Sequence, residues 1–135
     1  MKTLKFNEQM IAAIRDGRKT QTRRVMNPQP NEMNLICFYG FNAQFEHEGG
    51  FLFVRYPYEK RTKIADDLEI ETTGIRCERL GDISESDCIK EGIGSALTRD
   101  LKRPQFEALW RSIYPTGAKA WRDDLWVWVI DFEVV

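Results

Sequence analysis

Four cations and two hydroxyls fall within the eight residues Gly17-Arg18-Lys19-Thr20-Gln21-Thr22-Arg23-Arg24. Arginine forks and a lysine beside hydroxyls suit a phosphate or a polarised carbonyl. A lysine close to a threonine has a catalytic use as well. The threonine hydroxyl is a weak nucleophile until a base takes its proton, and lysine becomes that base when desolvation or nearby cations bring its pKa below the free value of about 10.4. Lys19 has such company in Arg18, Arg23 and Arg24. A carboxylate would complete the set, protonating a leaving group or orienting the lysine, but local spacing does not select it from twenty-one acidic residues. The plainer reading of the stretch is a solvated basic surface. In extended backbone Arg18, Thr20, Thr22 and Arg24 share one face and Lys19, Gln21 and Arg23 the other, and a turn at a helix exit would mix the two sets.

The elements that must position these residues follow from local signals. Thr3-Leu4-Lys5-Phe6 alternates like a short strand. Asn7 is placed to cap a helix whose apolar positions are Met10, Ile11 and Ile14, with Gly17 as its stop. Asn27-Pro28-Gln29-Pro30-Asn31 is a loop, because each proline removes a backbone donor. Between Leu35 and Tyr58 the aromatic residues suggest short strands, with Gly49-Gly50 as the turn of a hairpin joining the region ending at Phe45 to Phe51–Val54. Two alternating strands, Leu68–Thr72 and Ile75–Leu80, meet a break near Gly74. Ser84 with Asp87 three residues later has the form of a capping box, so a helix runs to about Glu91 and ends at Gly92. Another helix begins at Pro104 and shows Phe106, Leu109, Trp110 and Ile113 on one face. Leu125 to Val135 is the strongest strand signal, apolar enough on both faces to sit centrally. Short strands separated by about three short helices imply an α+β chain with a small curved sheet or barrel.

Composition narrows the functions. Residues of the apolar class make 42% of the 135 and charged residues 30%, the balance of a folded soluble chain rather than a disordered or membrane one. A net charge of −1 argues against a polybasic nucleic-acid binder, yet residues 1–24 carry seven basic and two acidic side chains while residues 64–100 carry four and ten. Three cysteines without CxxC spacing and a single histidine, His47, make a metal site an unexpected feature, so neither metal nor cofactor is expected. The thiols read as small buried hydrophobes in a cytoplasmic protein. Of the tryptophans, Trp110 and at least one of Trp126 and Trp128 belong to the core, although such rings can also stack on bases.

The segment Gly17–Arg24, preceded by a short helix, resembles the G-x-K-x-x-T-x-R signature of the ASCH domain family. The resemblance continues through Glu78-Arg79-Leu80-Gly81-Asp82-Ile83-Ser84, Lys90-Glu91-Gly92-Ile93, Phe106–Trp110 and Trp126–Phe132, an order similar to the phage and prophage branch. It implies one domain over residues 1–135, a PUA-like small mixed β-barrel flanked by about three short helices, with a family-variable insertion around 31–65 and a remnant of the family's Gly-Asp pair at Asp67-Leu68. It implies also a basic cleft for RNA or a modified nucleoside. A smaller branch hydrolyses 4-acetylcytidine with a lysine, a threonine and a glutamate. The motif carries the first two onto Lys19 and Thr22, and alignment on the following helix carries the third onto Glu91, or onto Glu85 or Asp87 if the register slips. Arg18, Thr20, Arg23 and Arg24 are then the substrate or RNA contacts. Gln21 and Arg23 stand where those hydrolases have apolar residues. A non-catalytic RNA-binding module and a single-stranded RNA nuclease are the alternatives. The residues leave the oligomeric state open and suggest no membrane partner.

Overall fold

The computed structural model describes residues 1–30, 44–45, 54–94, 97 and 99–135. The elements run α1 (Glu8–Arg15), β1 (Gln21–Val25), β2 (Gln44–Phe45), β3 (Val54–Arg55), β4 (Arg61–Ala65), β5 (Leu68–Arg79), α2 (Glu85–Lys90), α3 (Arg103–Ile113) and β6 (Trp126–Val134). Four strands form one antiparallel sheet in the order β1-β6-β5-β4, curled into a half-barrel, and β2 pairs with β3 separately. The expectation of an α+β chain with a small curved sheet flanked by three short helices is met.

Strand β6 is central, bonded to β1 on one side and β5 on the other. Its period of two explains why both of its faces are apolar. Trp128, Ile130 and Phe132 enter one core cluster with Leu4, Ile14, Met26, Tyr56 and Ile70. Val127 and Val129 enter a second with Leu80, Ile83, Cys88, Phe106 and Trp110. Trp128 and Trp110 are therefore core, and Trp126 is partly buried under the Arg79 guanidinium, 5.1 Å from the ring centre.

The helix signals read from the sequence operate as capping devices. Asn7 Oδ1 accepts the Met10 N–H at 2.8 Å, and Gly17 leaves the helix with φ +77°. Ser84 Oγ accepts the Asp87 N–H at 3.0 Å, and Gly92 follows α2 with φ +95°. Helix α3 has no side-chain cap of its own; the Glu85 carboxylate of α2 accepts the N–H groups of Lys102 (2.6 Å) and Arg103 (3.1 Å) in its place.

Three expectations change. Thr3–Phe6 is not a strand: only Lys2 forms a bridge, with Tyr58, and Leu4 and Phe6 pack against the first core cluster without a ladder. The break at Gly74 is a register shift inside one twelve-residue strand, β5. Strand β4, rich in charge, was not anticipated. The Gly49-Gly50 turn, Cys37 and His47 lie outside the described residues.

Candidate functional site

Backbone pairing creates the site. After α1 the chain turns at Gly17, and the Arg18 and Lys19 N–H groups both donate to Ala13 O, at 2.9 and 3.2 Å. Lys19 then forms an antiparallel bridge with Glu91, the C-cap of α2, and Thr20 N donates to Lys90 O at 2.7 Å. Two residues 72 apart in sequence are thus set opposite one another before their side chains meet. A Cβ on Gly92 would stand 3.4 Å from Lys19 Cβ, an ordinary contact, so it is the backbone at φ +95° and not a lack of room that requires glycine here.

The Lys19 ammonium is 3% exposed and donates to Glu91 Oε1 (3.1 Å), Glu91 O (3.2 Å) and Gln21 O (2.9 Å). Its three protons are all accepted. Burial pushes its pKa below the ordinary lysine value; the Glu91 carboxylate opposes this, and the Arg24 and Arg23 charges add to it. Beneath the pair, the Arg23 side chain has no exposed surface and binds three carboxylates: Glu91 Oε2 at 3.0 Å, Glu78 Oε1 at 2.9 Å and Asp87 Oδ2 at 3.0 Å. It also donates to Gln21 Oε1, while Gln21 Nε2 donates to Asp131 Oδ1 at 2.8 Å. Burial alone would lower the Arg23 pKa, but Glu91 and Glu78 together raise it. Burial likewise pushes Asp87 up, and the hydrogen bond from Arg23 with the charges of Arg23, Arg76 and Lys90 outweighs it, holding the carboxyl below its usual value. Glu91 therefore has each oxygen held by a different cation.

Above the pair lies a cavity of about 210 Å³. Lys19, Thr22, Arg23, Arg24 and Glu91 line its polar side, and Phe106, Leu109, Trp110, Ile113 and Tyr114 of α3 and its C-cap line the apolar side. Arg24 Nε donates to Thr22 Oγ1 at 3.2 Å and Nη2 to Lys5 O at 2.8 Å, while its guanidinium sits 4.8 Å from the Phe6 ring centre. Trp110 is fixed by its Nε1–H bond to Lys119 O at 2.8 Å. An apolar wall facing a few convergent polar groups suits a flat ring with a polar edge.

No protein-family model matches the chain, and no curated protein matches it. Among solved structures it is similar to the crystal structure of an ASCH domain from Lactobacillus crispatus JV V101, with a TM-score of 0.50 and 15% identity over 98% of this chain and 77% of that one. This chain has the fold of an ASCH domain. At that identity the likeness is one of fold.

Within this ASCH fold the residues named from the sequence separate into three groups. Lys19 and Glu91 meet directly, and Thr22 and Arg24 line the same cavity. The Thr22 hydroxyl accepts from Arg24, and the Lys19 ammonium faces Glu91 and Gln21 instead of Thr22. Arg23 also lines the cavity, but its guanidinium is taken up by the carboxylates of Glu91, Glu78 and Asp87. Arg18 and Thr20 are exposed and outside this cavity; Arg18 pairs with Asp16 at 3.2 Å, and Thr20 is used through its backbone. The two other acids that a register slip would offer are engaged elsewhere, Glu85 at the start of α3 and Asp87 with Arg23 and Arg76. The α3 wall is the part that sequence reasoning missed. The stripe Phe106, Leu109, Trp110 and Ile113 carries the signal, because it continues to the exposed Ile113 beyond the buried pair Phe106 and Trp110.

Proposed function

We propose that the chain is an ASCH-family protein whose cleft receives a base of RNA or of a modified nucleoside, and that it hydrolyses the amide of 4-acetylcytidine. The observation that carries this reading is that the buried Lys19–Glu91 pair and Thr22 line one cavity whose opposite wall is aromatic. The base lies against α3 with its acetyl group towards Thr22. Ligand entry frees Lys19 from one of its acceptors, and burial favours its neutral amine. Lys19 takes the Thr22 proton, and Thr22 Oγ bonds to the acetyl carbon. Arg24, already on Thr22 Oγ1, holds the charge that develops. The carbon–nitrogen bond then breaks, and the proton that Lys19 took from Thr22 passes through Glu91, bonded to Lys19 at 3.1 Å, to the departing amine. Water cleaves the acetyl ester, releasing acetate and restoring the Thr22 hydroxyl.

A second reading, a non-catalytic RNA-binding module, is favoured by the saturation of the Lys19 ammonium, which aims no free lone pair at Thr22. Incubation with 4-acetylcytidine followed by chromatography separates the two. Release of cytidine and acetate, reduced about 100-fold or more in Thr22→Ala and Lys19→Ala, supports the hydrolase. Activity that survives either substitution refutes Thr22 as nucleophile and Lys19 as its base. Salt-sensitive RNA binding without release supports the module, and shortening of the RNA would indicate a nuclease.

A further inference from the structure

The cleft has a second lobe. A cavity of about 260 Å³ adjoins the first and shares with it Asn7, Met10, Leu109 and the Lys19–Glu91 pair. The chemistry of the two lobes differs. Thr22, Arg24 and the α3 rings line only the first, whereas Arg18 and Gln9 line only the second, which has no aromatic side chain on its wall. In the second lobe Lys19 and Glu91 neutralise one another at 3.1 Å, so the charge left over is the Arg18 guanidinium. Its partner Asp16 and the nearby Glu8 do not line the lobe. The Arg18–Asp16 contact joins side chains 52% and 60% exposed, a kind of pair that contributes little in water and yields readily to a competing anion. Guanidinium forks match phosphate oxygens in pairs.

We propose that the second lobe is an anion subsite for the phosphate of the nucleotide whose base occupies the first lobe, so that the ligand is a nucleotide, free or within an RNA strand. The inference rests on the base-binding reading above. It adds a reason for two adjoining lobes: base and phosphate of one nucleotide are separated by a ribose, and the Lys19–Glu91 pair is the wall common to both cavities. Only the first lobe reaches Thr22, so the phosphate is held away from the reacting atoms.

Calorimetric titration of the full Thr22→Ala chain, which lacks the nucleophile and so does not consume the ligands, tests this with 4-acetylcytidine, its 5′-monophosphate and a short single-stranded oligoribonucleotide containing one acetylated cytidine. The monophosphate is expected to bind about tenfold tighter than the nucleoside, the size of one charge-assisted contact at an exposed site. The ratio should shrink with rising salt and fall to about one in Arg18→Ala. Because Arg18 is exposed, this substitution leaves the core intact; Lys63→Ala, an exposed cation on β4 lining neither lobe, should retain the ratio. An oligoribonucleotide that binds as tightly as the monophosphate supports a strand as the source of the phosphate, and weaker binding supports a free nucleotide. Equal affinities for nucleoside and monophosphate, or a ratio that persists in Arg18→Ala, overturn the subsite alone. Failure of all three ligands to bind overturns the base-binding reading with it.

Discussion

Replacing Arg23 by methionine isolates what the buried charge network contributes. The side chain has no exposed surface and meets Glu91, Glu78 and Asp87 at 2.9 to 3.0 Å, so its removal strands carboxylates in the interior. Breaking a buried pair in this way costs about 3–5 kcal/mol. The lower end applies to Arg23, because each acid keeps another cation: Glu91 keeps Lys19 at 3.1 Å, Asp87 keeps Arg76 at 2.6 Å and Glu78 keeps Arg76 at 3.5 Å. With a urea m-value of about 2 kcal/mol/M, a loss of ~3 kcal/mol lowers the unfolding midpoint by roughly 1.5 M. Tryptophan fluorescence reads it, since Trp110 and Trp128 are buried. The pH dependence gives a second check. In the native chain Asp87 has a depressed pKa, so its share of stability is present above the unfolded carboxylate value and is lost as pH falls through the depressed one. Without Arg23 the folded Asp87 carboxyl binds protons more readily, so acidification costs the variant less stability than it costs the unaltered chain. The gap between the two proteins should therefore narrow from pH 7 towards pH 4.5. A gap below about 1 kcal/mol, or one that does not change with pH, would refute the account of the network.

Asn7→Ala removes the acceptor for the Met10 N–H and should cost about 1 kcal/mol in urea unfolding. Gly92→Ala forces a side chain into φ +95° with its Cβ 3.4 Å from Lys19 Cβ, and should destabilise by about 1–2 kcal/mol while lowering ligand affinity measured by calorimetry. Glu85 has a depressed pKa through its hydrogen bonds from the Lys102 and Arg103 amides, so this cap is present above the usual carboxylate value and is lost as pH falls through the depressed one. Acid titration of Glu85→Gln should accordingly show a shallower loss of stability than the unaltered chain.

The sequence made legible those features whose chemistry is local. Asn7, Ser84, Gly17 and Gly92 announce the ends of α1 and α2 because a cap acts within a few residues. The doubly apolar β6 reads as central for the same reason. Thr3–Phe6 misled because alternation reports burial of Leu4 and not the presence of a ladder. Gly74 misled because a bulge and a chain break look alike in one dimension. Strand β4 is an edge strand whose Arg61 and Lys63 face solvent, which erases the apolar pattern. At the site, alternation grouped Lys19, Gln21 and Arg23 on one face, as the structure does, but nothing local pointed to Glu91 as their common partner. That pairing depends on a bridge across 72 residues, and only the family resemblance points to it. The cost of burying Arg23 is also invisible in sequence, since a basic stretch reads as solvated.

The place of β6 between β1 and β5 has a consequence for how the protein is made. Gln21 of the motif strand is bonded to Asp131, 110 residues later, and among the described residues β1 has its ladder with β6 alone. At a synthesis rate of about 5–20 residues per second, the motif emerges on the order of ten seconds before the strand that must receive it. During that interval the cations of β1 have no sheet to join, and pairing across so long a loop is entropically slow. The cleft is therefore among the last parts of the molecule to assemble, and a chain stalled before β6 would display the signature residues without a site.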